Sequence, residues 1–182
     1  MVKVAILLAN GFEETEALVP ADLLRRAGAE VILASVDGNE TVTGAHGICV
    51  QADQPIDTLD RTSLGCVVLP GGLRGTELLY GSFKVRTLVQ YAAENGLYVA
   101  AICAAPSILG KLGLLDGRRY VCYPGFEKEI PDGIRTSKKV EQDDTFVTAE
   151  GMGASFEFGF HLVELLFGSA KATELKVQTR FA

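Results

Sequence analysis

The chain is 182 residues long, enough for a single domain over residues 1–182 to bury a core without disulfides or metal to hold it together. Its 48% hydrophobic and 22% charged residues exclude a disordered or fibrous protein. A net charge of −6, with acids and bases interspersed, leaves no basic stripe for a phosphate backbone, so no nucleic-acid partner is expected.

In chain order, the apolar run Lys3 to Ala9 soon meets Asn10, Gly11 and three glutamates; it predicts a strand and is no secretory leader. The amphipathic stretch Glu16 to Ala27 predicts a helix, begun at Glu16 because Pro20 is tolerated only near a helix start. Glu30 to Val36 reads as a second strand, and the irregular segment Asp37 to Asp57 has room for a small hairpin or an added strand. Strands follow at Cys66 to Pro70 and Tyr98 to Cys103, with a helix over Ser82 to Asn95 between them. The remainder reads as a helix over Ala105 to Leu112, strands at Tyr120 to Tyr123 and Thr145 to Thr148, and a helix over Ser155 to Leu166. The first, third and fourth strands are nearly continuous in Val, Ile, Leu and Ala, the pattern of parallel strands covered on both faces. The alternation predicts the α/β class, a doubly wound sandwich.

No apolar run nears the roughly 18 residues that cross a bilayer, so no membrane partner is expected. Cys49, Cys66, Cys103 and Cys122 form no Cys-x-x-Cys pair, and neither His46 nor His161 stands at metal-ligand spacing from them. No metal or other cofactor is expected, and reduced thiols fit a cytoplasmic setting.

In such a sheet, ligands bind beyond the carboxyl ends of the strands. Five ends converge there, carrying the loops that start at Asn10, Pro70, Cys103, Tyr123 and Glu150. Cys103 closes the run Tyr-Val-Ala-Ala-Ile-Cys, flanked at two positions by Ala101 and Ala105, the small residues that a nucleophile elbow needs where its backbones approach. Pro106 suits the first turn of the next helix, whose N-terminal partial charge should favour thiolate. The remaining cysteines read as structural. Of Glu13, Glu14 and Glu16, the last sits nearest the mouth, where burial and like charge would protonate it and let it pass protons. The other two read as solvent-facing complements of the helix dipole. Pro70-Gly71-Gly72 ends a strand with paired N–H groups that can face a ligand oxygen, although most such triplets are only turns. Tyr123 either lines the pocket or is an ordinary half-buried tyrosine. Gly151 and Gly153 could offer donors likewise, but such glycines more often mark a turn and a helix entry. Phe156, Phe160, Val163 and Phe167 recur at helical spacing and are assigned to the core. His161 reads as structural, and Arg26 and His46 as surface residues.

These motifs resemble the ThiJ/PfpI superfamily, most closely its branch around the parkinsonism-associated deglycase. The resemblance rests on Asn10-Gly-Phe-Glu-Glu-Thr-Glu16, Val68-Leu-Pro-Gly-Gly72, Ala101-Ile-Cys-Ala-Ala-Pro106 and the stretch from Thr148 to Phe158, in order and over nearly the whole chain. It implies a flavodoxin-like homodimer with the elbow cysteine at Cys103, a hydrogen-bonded glutamate at Glu16, and the backbone of Gly72 and Ala104 beside the sulfur. It also implies a cofactor-independent glyoxalase or deglycase acting on small aldehydes such as methylglyoxal, giving lactate, or a redox-responsive cysteine sensor and chaperone without turnover. Two departures stand out. Tyr123 replaces the histidine of many glyoxalase-active relatives, and His46 and Glu150 occupy places where the human-type branch has arginines, while Arg26 is retained. A weaker anion site follows. Peptide hydrolysis has the least support, because no Cys-His arrangement is visible.

Overall fold

A computed structural model describes residues 1–181. It begins with β1 (Lys3–Leu8), α1 (Glu14–Ala27) and β2 (Glu30–Ser35), followed by the short β3 (Thr41–Thr43), β4 (Cys49–Gln51) and β5 (Gln54–Pro55). Next come β6 (Leu64–Leu69), α2 (Leu73–Gly81), α3 (Phe83–Glu94), β7 (Tyr98–Ile102) and α4 (Pro106–Lys111). The chain closes with β8 (Arg119–Tyr120), β9 (Ile134–Arg135), β10 (Val140–Asp143), β11 (Phe146–Ala149), α5 (Ser155–Phe167) and α6 (Ser169–Gln178).

Seven strands form one sheet in the order β10-β11-β7-β6-β1-β2-β5, parallel throughout except for β10. Alternate strand residues feed two separate cores, as the two-residue period of a strand requires. Val4, Ile6 and Leu8 of β1, with Cys66, Val68, Ala100 and Ile102, pack under α1, α5 and α6. Their neighbours Ala5, Leu7, Val67, Leu69, Val99 and Ala101 pack under α2, α3 and α4. This is the expected α/β three-layer sandwich of flavodoxin type. The chain runs outward from β1 to β2 and then returns to β6 on the other side of β1. That reversal is the topological switch point, where ligands bind in open α/β sheets.

The structure departs from the sequence expectation in several places. Helix α1 begins two residues early, so Pro20 lies inside it. α2, α6 and the antiparallel β10 carry no strong period in sequence and were not expected. The irregular segment is a β3–β4 hairpin plus the edge strand β5. The expected strand Tyr120 to Tyr123 is only β8, paired with β9 outside the main sheet. Beyond it, Val121 donates its N–H to the Thr148 hydroxyl (3.0 Å) and Tyr123 to the Cys103 carbonyl (2.8 Å), so the segment docks on the sheet without joining it. Phe156, assigned to the core, is 48% exposed and stacks on Phe181 with ring centroids 5.8 Å apart; Phe160 and Val163 are buried as expected, and so is Phe158.

Helix α2 presses directly on the loop after β1. A Cβ on Gly75 would lie 2.8 Å from both the N and Cα atoms of Phe12. Backbone cannot yield as a side-chain tip can. Gly75→Ala is therefore expected to lower the unfolding free energy by about 1–3 kcal/mol, although alanine is the better helix former by about 1 kcal/mol. Urea denaturation checks this; an unchanged or raised midpoint would contradict the close approach.

Candidate active site

Cys103 follows β7 with φ +66°, a left-handed conformation that a residue with a side chain occupies at a cost of about 1–3 kcal/mol. Three hydrogen bonds hold it there. Its N–H donates to the Ala149 carbonyl (2.9 Å), its carbonyl accepts from Tyr123 (2.8 Å), and the Ala105 N–H returns to the Ile102 carbonyl (3.1 Å). Ala101 and Ala105 are fully buried, as the elbow spacing required, and Pro106 is the first residue of α4. The sulfur side chain is half-buried rather than sealed.

Glu16 lies on the first turns of α1 and is completely buried. One oxygen, Oε2, accepts the Gly71 N–H at 2.8 Å; the other, Oε1, has no hydrogen-bond partner among the described residues. A Cβ at Gly71 would fall 2.5 Å from Glu16 Oε2 and 2.7 Å from Cys103 Cβ. Only glycine therefore lets carboxyl and thiol share this corner. The Gly71 N–H, expected to face a ligand oxygen, is taken by Glu16, and the Gly71 carbonyl accepts from Glu13 at 3.0 Å. Gly72, at φ +86°, opens α2 and is crowded by the backbone of Gly11 and Glu13. Its N–H and that of Ala104 are the two backbone donors that stabilise charge on the sulfur.

Burial pushes the Glu16 carboxyl up to about 7, helped by the charge of Glu13 and opposed by hydrogen bonds from Cys103 and Gly71. Burial also pushes the Cys103 thiol up to about 12, and the facing Glu16 carboxylate adds to it; the Gly72 and Ala104 donors pull the other way. The depressed thiol pKa expected from the helix dipole is thus reversed. α4 has only six residues, and its partial charge is outweighed by desolvation and a neighbouring anion. Both shifts point the same way because the pair resists a second negative charge: near neutrality it retains at least one proton between sulfur and carboxyl.

The other acids also differ from expectation. Glu14 does not face solvent; it is buried, and its Oε1 accepts the N–H of His46 (2.7 Å) and of Ile48 (3.4 Å). Its Oε2 meets His46 Nδ1 at 3.0 Å. Burial opposes the Glu14 charge, but these hydrogen bonds outweigh it and hold its pKa below the ordinary carboxylate range. Glu14 thereby ties the turn of the β3–β4 hairpin to the loop that carries Glu16. Glu13, Glu14 and His46 set one ligand-type atom each within 4.8 Å of one another. The hairpin bonds of Glu14 account for that cluster without an ion. His161 bonds Gln142 at 3.1 Å, consistent with a structural role, and Arg26 pairs with Asp22 on the surface.

Tyr123 is 51% exposed beside the sulfur. A Cβ on Gly151 would sit 3.2 Å from its ring and 4.0 Å from Cys103 Sγ, so the Gly151 backbone forms part of the same wall. Outside this wall lies an open groove of about 500 Å³, lined by Tyr123, Pro124, Lys139, Glu150 and Met152 among others. Sequence reading treated Gly151 as a turn and did not find Lys139, which reaches the site only because β10 returns antiparallel.

The deciding comparison is with families of known sequence. Residues 2–165 match the DJ-1/PfpI family. The chain belongs to that family. It is 39% identical over 175 residues to an Arabidopsis thaliana DJ-1 homolog, protein B, a match covering 95% of this chain but 40% of that protein. It is 36% identical over 128 residues to a Pyrococcus horikoshii deglycase, covering 70% of this chain and 76% of the relative. Among solved structures, Toxoplasma gondii DJ-1 in an oxidized form superposes with a TM-score of 0.96 at 36% identity, covering all of both chains. The chain thus spans less than half the length of the plant relative but the full length of the Toxoplasma structure.

The raised Glu16 pKa has a stability consequence of definite sign. The neutral carboxyl tolerates burial and the ionised one does not, so its contribution to stability is intact below about 4.5 and is lost as pH rises through about 7. Between pH 4 and pH 8 the wild type should lose up to about 3 kcal/mol relative to Glu16→Gln. Parallel denaturation curves for the two proteins at both pH values would contradict a buried, proton-binding Glu16.

Proposed function

We propose that this DJ-1/PfpI family member is a cysteine-dependent, cofactor-independent enzyme for small reactive aldehydes, acting on methylglyoxal and on its early adducts in carbonyl-stress defence. The reading includes a cytoplasmic homodimer. Its chief support is the corner where Gly71 holds Glu16 against Cys103, with one carboxyl oxygen buried and unpartnered. The name of the Pyrococcus relative supports the same direction.

Chemistry follows from the proton inventory. A thiol with a raised pKa is a poor nucleophile alone, but the adjacent carboxylate accepts its proton as the S–C bond forms. Sγ adds to the aldehyde carbon, and Glu16 hands the proton on to the carbonyl oxygen to give a hemithioacetal. Where that carbon carries an amine, the amine leaves with the proton as sulfur takes its place. Glu16 then removes the hydrogen from this carbon and returns a proton to the adjacent carbon through an enediol. The result is a thioester of the 2-hydroxy acid. Water cleaves it, releasing lactic acid and restoring the thiol. Overall, methylglyoxal plus water gives lactic acid, with no external oxidant or reductant. Gly72 and Ala104 stabilise negative charge on sulfur as it leaves.

Lactate formation by purified protein tests this. Cys103→Ala should abolish it, and Glu16→Gln should lower kcat by about 10²–10⁴. Equal rates in wild type and Cys103→Ala would remove the proposal.

Tyr123, where a proton carrier active at neutral pH would serve turnover, favours a second reading. Here peroxide oxidises Cys103 to sulfinate, each of two peroxides giving one oxygen and leaving as water, and the Glu16 carboxyl hydrogen-bonds the product. Intact mass after mild peroxide should show two oxygens on Cys103 before any other thiol. Preferential oxidation of the exposed Cys49 would count against a sensor.

A further inference from the structure

The groove outside Tyr123 and Gly151 is far larger than a three-carbon ketoaldehyde requires. At about 500 Å³ it falls in the range of sites that bury a larger ligand. Its contents are not neutral. Lys139 is its one cation; its Nζ pairs with Glu157 Oε1 at 2.8 Å and also feels the charge of Glu150. Lys138, next in sequence, is turned to Glu141 at 3.1 Å. Glu150 is exposed at the groove and makes no ion pair among the described residues. One ammonium therefore meets two carboxylates, Glu157 and Glu150. The apolar lining is of a matching kind. Tyr123 and Met152 are each more than half exposed, and the Tyr123 ring has no cation over it among the described residues. An open aromatic face beside an unpaired carboxylate suits a flat or elongated cation with an apolar stem.

We propose that this groove seats the carrier part of the substrate, and that the preferred carrier is a cationic peptide segment bearing the aldehyde adduct on a lysine. This rests on the aldehyde-adduct reading of Cys103 and Glu16 and deepens it. Glu150 acts as the specificity-determining residue through charge. Tyr123 and Met152 pack the side-chain stems next to the adduct. Anionic carriers meet like charge and are disfavoured, which gives selectivity without a change in the chemistry at sulfur.

Two tripeptides, each synthesised with the methylglyoxal adduct on its lysine alone so that no guanidinium is modified, separate these effects: one has the lysine between two arginines, the other between two aspartates. Release of the free peptide by wild type should favour the arginine peptide about tenfold in kcat/KM at low salt, and the ratio should shrink at high salt. Glu150→Gln should bring the ratio toward one and Glu150→Lys should invert it. Equal rates for the two peptides in wild type would overturn the inference while leaving the enzyme reading intact. Binding of the untreated peptides to Cys103→Ala, followed by NMR shifts at the Glu150 and Gly151 amides, is independent of turnover. Selective shifts with the arginine peptide, in the absence of any turnover by wild type, would keep the groove assignment and remove the enzyme reading. No preference in either experiment would remove the inference.

Discussion

Everything at this site depends on a carboxyl group being held in a place where it does not want to ionise. Glu16 is anchored by a single backbone donor, the Gly71 N–H, and is otherwise enclosed. Neither that bond nor the one from the Cys103 thiol offsets the desolvation of a full charge, so the group retains affinity for a proton near neutrality. Its neighbour is a thiol whose own ionisation is opposed by the same burial. Neither group can carry charge freely while the other does. The proton they share is thereby positioned to follow whichever atom reacts. A surface carboxylate beside a surface thiol would have no such coupling, because water would screen both.

The geometry that enforces this coupling is backbone geometry. Gly71 permits contact because it lacks a Cβ, and Cys103 is turned toward the corner by a left-handed φ that three hydrogen bonds impose. Those bonds draw on separate parts of the chain: Ala149 from β11, Tyr123 from the segment after β8, and Ile102 from β7 itself. Distributing the constraint in this way means that no single side-chain loss frees the elbow. On the opposite side, Glu14 performs a related task, binding the β3–β4 hairpin to the first turn of α1 with backbone donors and His46. The hairpin is short and lies outside the main sheet, and Glu14 adds to the bonds that hold it over the glutamate loop, from the Gly11 N–H to the Thr43 carbonyl (2.7 Å) and from the Ala45 N–H to the Phe12 carbonyl (2.8 Å).

Sequence reading went furthest where a local rule fixes local structure. The continuous apolar strands announce a parallel sheet, and Ala101, Ala105 and Pro106 announce the elbow. Glu16 was separable from its two neighbours by its position relative to Pro20, even though α1 turned out to start earlier. The pattern failed where the outcome is set by distant partners. Glu14 looks like any first-turn acid until the hairpin folds over it. Gly71 looks like a free donor until Glu16 claims its N–H. The thiol pKa was misjudged because a helix dipole is visible in sequence and desolvation is not. Lys139 and Gly151 join the site through the antiparallel return of β10 and the close approach of Tyr123, neither of which leaves a periodic trace.

The distribution of charge around the mouth separates two tasks that the same carboxylate chemistry might seem to confuse. Glu16 is buried and couples to the thiol beside it; Glu150 is exposed and its charge faces the groove. Their fields reach different distances because their surroundings differ. Inside, the low dielectric makes the Glu16–Cys103 coupling strong and short in range, and salt cannot enter to weaken it. Outside, the Glu150 field extends over the groove but falls off within a Debye length of about 8 Å at physiological ionic strength. Chemistry at the sulfur is therefore insulated from the ionic environment, while selection of the approaching molecule is not. The corner is constrained by contact, and the rim only by charge.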